Sequence, residues 1–261
     1  MQIGAGVSFS GTQVVTGVPS ELDNGTGMVS LRQLDGTAIE KPLKHLRPAQ
    51  AARAKPWRTF RNRHGQKHHS GYYWCATTGG HIIYESRLEL ARLMLADFDP
   101  EVVEIAAQPF RIRARVAGRD RRHVPDYLLV RADRSVTVVN VKPASQLAKP
   151  EIAEALAWPA KLIENHGWAH EIWSGEDPVY LANVRFLASQ RRDGLVADEV
   201  LEAALAEAVR GVTIRELTLR LQTSWAPALL KPAVLKLLWQ QRITTDLRRH
   251  LDGDSMVEAC A

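Results

Sequence analysis

Residues 123–142 read His-Val-Pro-Asp-Tyr-Leu-Leu-Val-Arg-Ala-Asp-Arg-Ser-Val-Thr-Val-Val-Asn-Val-Lys, and they constrain the fold more than any other stretch. Two short apolar runs flank a polar turn at residues 132–134, which is the pattern of a β-hairpin. The first run opens with Pro125-Asp126 and the second ends with Asn140-Val141-Lys142. Successive strand residues alternate between faces, so side chains 140 and 142 share one. Pairing the two runs brings Asp126 to the same open end as Asn140 and Lys142. One acid, one amide and one lysine at a strand margin form the kind of cluster that holds a divalent ion beside a phosphodiester.

The rest of the chain supplies context for that end of the hairpin. With 261 residues there is room for two small domains or for one domain with appendages. A hydrophobic fraction of 45% predicts ordinary packed cores. The net charge of +5 and pI of about 9.4 lean towards a polyanionic partner. Two distant cysteines, Cys75 and Cys260, suit a reducing cytoplasm. The first residues lack the basic and apolar regions of a signal peptide, and no run of 18 apolar residues predicts a membrane span.

Four segments follow from the pattern along the chain. Residues 1–50 hold short apolar runs at 13–18, 28–31 and 38–43 between Gly- and Asp-containing turns, which predicts a small β unit of SH3-like type. Residues 51–70 form a basic linker in which Arg53, Lys55, Arg58, Arg61, Arg63 and Lys67 interleave with Trp57 and Phe60. Such a mixture suits phosphate contact and stacking, and a solvated linker carries the same composition. His64, His68, His69, Cys75 and His81 match no familiar zinc spacing, and Cys75 reads as a small apolar strand residue.

Residues 71–192 read as a mixed α/β layer. Leu88, Ala91, Leu95 and Phe98 follow helical spacing, with Glu85 placed in the first turn at the favourable end of the dipole. A strand is expected over 107–116, where Arg111, Arg113 and Arg115 share one face; Arg119, Arg121 and Arg122 follow. This row is either a solvated face or a phosphate track. A helix over 150–165, a strand over 168–174 and a helix opened by Asp177-Pro178 complete the layer. In residues 193–261, helices over 198–210, 214–222 and 227–241 precede two short strands around Asp252-Gly253, the order of a winged helix. Thr213 and Glu216 carry a capping-box signature.

Glu85, Asp126 and Lys142 together supply what metal-dependent phosphodiester cleavage needs: carboxylates for a hard cation and a lysine for water or developing charge. Asn140 lacks the charge of the third carboxylate in a PD-(D/E)xK pattern, although its amide or the Val141 carbonyl offers a neutral oxygen.

Several stretches resemble the TnsA-type endonuclease subunit of heteromeric cut-and-paste transposons. These are Tyr84-Glu85-Ser86-Arg87-Leu88-Glu89, Gln108-Pro109-Phe110, Val124-Pro125-Asp126-Tyr127-Leu128, Val139-Asn140-Val141-Lys142-Pro143, Gly167-Trp168 and Tyr180-Leu181-Ala182-Asn183. The resemblance spans roughly residues 70–190. It implies a restriction-endonuclease-like fold and Mg²⁺ (or Mn²⁺) held by the helix glutamate at Glu85 and the aspartate at Asp126. It also implies a lysine at Lys142 and an amide at Asn140, where the family carries glutamine. Double-stranded DNA at the ends of a mobile element would be the substrate, with a DDE transposase subunit and an AAA+ ATPase regulator as partners. From the residues alone, two other readings stand beside it. One is a restriction-like nuclease of defence or repair; the other is a DNA-binding adaptor with an inactive site.

Overall fold

The computed structural model describes residues 12–13, 22, 27–58, 69–208 and 211–260. The chain divides into two compact units, residues 1–96 with 101–175, and residues 97–100 with 176–261. In chain order the first unit carries β1 (Thr12–Gln13), β2 (Met28–Arg32), β3 (Ala38–Pro42), α1 (Pro48–Ala52), β4 (Gly71–Cys75) and β5 (Gly80–Tyr84). Then come α2 (Arg87–Phe98), whose last turn belongs to the second unit, β6 (Val102–Ala107), β7 (Arg111–Val116) and β8 (Arg119–His123). Last in this unit are β9 (Tyr127–Arg131), β10 (Val136–Val141), α3 (Ala144–Leu147), α4 (Pro150–Asn165) and β11 (Ala169–Trp173).

β9 and β10 form the hairpin, with Tyr127 opposite Val139 and Val130 opposite Val136. Its turn closes where Arg131 N–H donates to the Ser135 carbonyl at 2.9 Å. The hairpin lies inside a five-stranded mixed sheet of order β1-β11-β10-β9-β6. β10 runs parallel to β11, and the intervening α3 and α4 supply the crossover that a parallel pair requires. As a central strand β10 buries Val136, Val138, Val139, Asn140 and Val141.

A second sheet has the order β3-β2-β7-β8. In β7 the alternation holds: Ile112, Ala114 and Val116 are buried while Arg113 and Arg115 turn outwards. Val29, Leu31, Ile112 and Ala114 from this sheet share one core with Leu128, Val136 and Val138 of the first. Trp158, Leu162 and Ile163 of α4 complete it. A β4–β5 hairpin precedes α2.

The long strand expected over 107–116 is two strands. Pro109 has no N–H for a ladder, and Gln108 takes a φ of +47°, so the chain corners between β6 and β7. Of the expected small β unit, β2 and β3 are built into the β7–β8 sheet, because β2 pairs directly with β7, and β1 instead pairs with β11. Among the described residues no sheet closes into a barrel. Most of the apolar run at 13–18 lies outside the described residues.

The second unit contains α5 (Pro178–Leu187), α6 (Asp198–Glu207), β12 (Val212–Thr213), α7 (Ile214–Leu221), α8 (Pro227–Trp239), β13 (Ile243–Thr244) and β14 (Met256–Ala259). α5 groups here rather than with the α/β layer. Asn183 explains why: its amide donates to the carbonyls of Leu247 (2.9 Å) and Arg249 (2.6 Å). Asp177 caps α5 by accepting from Val179 and Tyr180 N–H. Thr213 and Glu216 form the capping box that starts α7. The three short strands pair in the order β12-β14-β13. Among the described residues no helix is long and apolar enough to cross a membrane.

Candidate active site

The open end of the β9–β10 hairpin faces a cleft of about 570 Å³ in the first unit. Backbone pairing places its side chains. Asp126 N–H donates to the Val139 carbonyl at 3.0 Å, and the Asp126 carbonyl accepts from Gln108 N–H at 2.9 Å. Lys142 N–H donates to the Trp173 carbonyl at 2.9 Å, continuing the β10–β11 ladder by one residue. Asp126 and Lys142 therefore sit on strand extensions whose geometry the sheet dictates. The Asp126 carboxylate accepts the Val141 N–H at 2.7 Å, and both Asp126 and Lys142 line the cleft.

The opposing wall is the start of α2. Ser86 is its N-cap: the Ser86 hydroxyl accepts Glu89 N–H at 3.1 Å, and Glu89 reaches back to accept Glu85 N–H at 2.7 Å. Ser86-Arg87-Leu88-Glu89 is an S-x-x-E box, a signal legible in the sequence that identifies Glu89 as the first-turn acid. This corrects the first-turn placement of Glu85, which precedes the cap. Both glutamates line the cleft, in different company. Glu85 is ion-paired to Arg58 at 2.8 Å. Glu89 is half-buried, and burial followed by the charge of Asp126 pushes its carboxyl up to about 7. Burial also raises Asp126 above the ordinary carboxylate range, against the opposing pull of Lys142.

Gln108 joins the basic segment to this site. Its carbonyl accepts Trp57 N–H at 3.1 Å and its side-chain oxygen accepts Arg58 N–H at 2.8 Å. The Arg111 guanidinium lies 4.4 Å from the centroid of the Trp57 ring, and Trp57, Arg58, Arg111 and Arg122 all line the cleft. The other expected DNA-contacting arginines are placed elsewhere. Arg113 pairs with Glu40 at 2.9 Å and Arg121 with Glu154 at 2.7 Å; Arg115 is exposed away from the cleft lining. Arg61 and Arg63 lie outside the described residues.

Asn140 is 1% exposed and is not part of the cleft lining. Its Oδ1 lies 2.7 Å from His123 Nε2 and its Nδ2 lies 2.7 Å from His170 Nε2. His123 does line the cleft and packs edge-on against Trp158. Burial lowers both imidazoles to about 4, with Lys142 adding to the effect at His123 and His123 adding to it at His170. Neither histidine carried a motif that singled it out.

Among the described residues no three His, Cys, Asp or Glu side chains converge as a metal cage. Cys75 is buried in β4; His64 and His68 lie outside the described residues. Mg²⁺ is commonly held by only one or two carboxylates plus water and substrate phosphate. The Glu89–Asp126 pair fits that requirement: both are carboxylates lining one cleft, and a cation there would offset both the burial and the Asp126 charge that push Glu89 up.

No curated protein matches the chain. Residues 99–175, which carry Asp126, Asn140 and Lys142 but neither glutamate of the α2 wall, match the family model described as TnsA-like endonuclease N terminal, so this segment is similar to an endonuclease domain.

Proposed function

We propose that the chain is the DNA endonuclease subunit of a heteromeric transposase, cleaving the 5′ ends of a mobile element for cut-and-paste transposition. The observation that carries this reading is the cleft that gathers Glu89, Asp126 and Lys142, the last two on a segment similar to TnsA-like endonucleases. Glu89 and Asp126 would hold Mg²⁺ or Mn²⁺, with Glu85 and the Val141 carbonyl as further oxygen donors. When bound, the ion supplies a polarised phosphoryl oxygen and a more acidic water.

The chain's own residues account for the remaining needs. Lys142 is placed to orient water or to neutralise charge developing on the phosphate. Arg111 and Arg122 offer guanidinium forks to flanking phosphates. Arg58 stands at the same margin, where its pairing with Glu85 would give way to a phosphate and free that carboxylate. Trp57 stacks beneath Arg111 and orients it. In the second unit, the helix and strand order supports a winged-helix module for DNA or partner docking. A DDE transposase that processes the 3′ ends and an AAA+ ATPase regulator are the partners this reading calls for.

The test combines the full chain with a candidate DDE transposase partner, labelled element ends and Mg²⁺. Strand cleavage that is lost in Asp126→Asn and in chelator supports the proposal. Equal cleavage by Asp126→Asn would overturn it. Cleavage of unrelated DNA without any partner would instead point to a restriction-like nuclease of defence or repair. The adaptor reading draws on Asn140, which stands where a third carboxylate is usual; divalent-ion binding that depends on Asp126 would exclude it.

A further inference from the structure

We propose that Asn140 is a positioning residue, whose amide ties His123 at the end of β8 to His170 of β11 and presents His123 to the cleft as a hydrogen-bond acceptor. The tie crosses between the two larger sheets of the first unit, since β8 belongs to one and β10 and β11 to the other. Strand register explains how it forms. Val138 pairs with His170 and Asn140 with Ile172 in the parallel ladder, so residues 140 and 170 are diagonal neighbours on one face. That face points at the core of Trp158 and Val138, where His123 arrives from the other sheet.

The chemistry of the amide then decides the protons. An amide oxygen can only accept, so Asn140 Oδ1 at 2.7 Å requires His123 Nε2 to carry its hydrogen. An amide nitrogen can only donate, so His170 Nε2 at 2.7 Å from Nδ2 must be bare. Neutral His123 is thereby the Nε2–H tautomer with Nδ1 unprotonated, and neutral His170 is the Nδ1–H tautomer. Of the three residues, only His123 lines the cleft. Its Nδ1 is an acceptor for a cleft water, close to the side chain of Lys142 that also reaches this cavity. This last step rests on the nuclease reading; the tie itself does not.

The test is a long-range ¹H–¹⁵N correlation spectrum of histidine-labelled full-length protein without metal or DNA, assigned with His123→Gln and His170→Gln. We expect the Nε2–H tautomer at His123 and the Nδ1–H tautomer at His170. Reversed tautomers, or two averaged rings, would overturn the proposal without any variant being needed. Because His170 lies outside the cleft lining, His170→Leu and His170→Gln then separate positioning from packing. Leucine leaves the Asn140 NH₂ without an acceptor; glutamine restores one. His170→Leu should let the His123 tautomers average and slow partnered DNA cleavage by about tenfold or more, with His170→Gln retaining both. A His170→Leu protein with wild-type tautomers and rate would contradict the proposal. If the wild type cleaves nothing, the nuclease reading falls and the tautomers alone decide this one.

Discussion

One turn of α2 separates Glu89 from Arg92, and the two charges are treated in opposite ways. Arg92 is 2% exposed and bonds Glu171 of β11 through two contacts of 2.8 Å, a fork on a carboxylate. Glu89 is half-buried, faces a second acid, and has its carboxyl pushed up to about 7. The first charge is neutralised within the fold. Among the described residues, the second accepts only the uncharged Glu85 N–H and Ser86 hydroxyl. On the same helix, the paired charge reads as architecture and the crowded one belongs to the candidate site.

The largest effect separating the two should come from Arg92. Arg92→Met leaves Glu171 buried without its guanidinium, and unfolding in urea should show a loss of about 3–5 kcal/mol. A loss below about 1 kcal/mol would mean that the pair is not structural. Asp126→Asn should do the reverse: partnered cleavage should fall by at least about 10²–10³-fold while the melting temperature stays level or rises.

Glu89→Gln sharpens the contrast through pH. In the metal-free protein Glu89 keeps its proton up to about pH 7, whereas the ordinary value is 4.5. The stability this proton contributes is complete below pH 4.5 and is lost as pH rises through 7. Wild type should therefore weaken between those limits, on the order of 3 kcal/mol. Glu89→Gln should remove the Glu89 share of that slope, leaving the share of raised Asp126, and be the more stable protein at pH 8. Identical pH profiles would place Glu89 outside the crowded pair.

The smallest effect concerns the arginines. Arg111→Ala or Arg122→Ala should each reduce the slope of log K against log salt for DNA binding by about 0.9. Arg113→Ala and Arg121→Ala, whose guanidiniums are already paired on the surface, should leave it nearly unchanged. Equal slopes across the four would dissolve the distinction between cleft and outer arginines.

How much of this was legible in the sequence follows from the range of the forces involved. The hairpin, the helix at 150–165 and the Thr213–Glu216 box are set by local alternation, periodicity and capping, so they were read from residues close in sequence. Asp126 and Lys142 converge because a hairpin needs only one turn to join its ends. The strand pairing of β2 with β7 joins residues some eighty positions apart, and no local pattern announces it. The same holds for α5, whose place with the second unit depends on Asn183 bonding to the carbonyls of Leu247 and Arg249. Glu85 was read as the first-turn acid, while the S-x-x-E box at residues 86–89 pointed to Glu89. Asn140 was singled out by position, but it lies outside the cleft lining, and its partners His123 and His170 arrive from different strands. Their meeting depends on sheet order, which the sequence does not spell out.

The central claim is that Glu89 and Asp126 together hold a divalent cation. Isothermal titration of Mn²⁺ into the full chain tests it at pH 8 and again at pH 6, with Asp126→Asn alongside. Ion binding must displace the Glu89 proton, so affinity should fall by about tenfold per unit of pH below 7. The binding heat should vanish in Asp126→Asn. Equal binding at both pH values, or a heat that survives Asp126→Asn, would contradict the account.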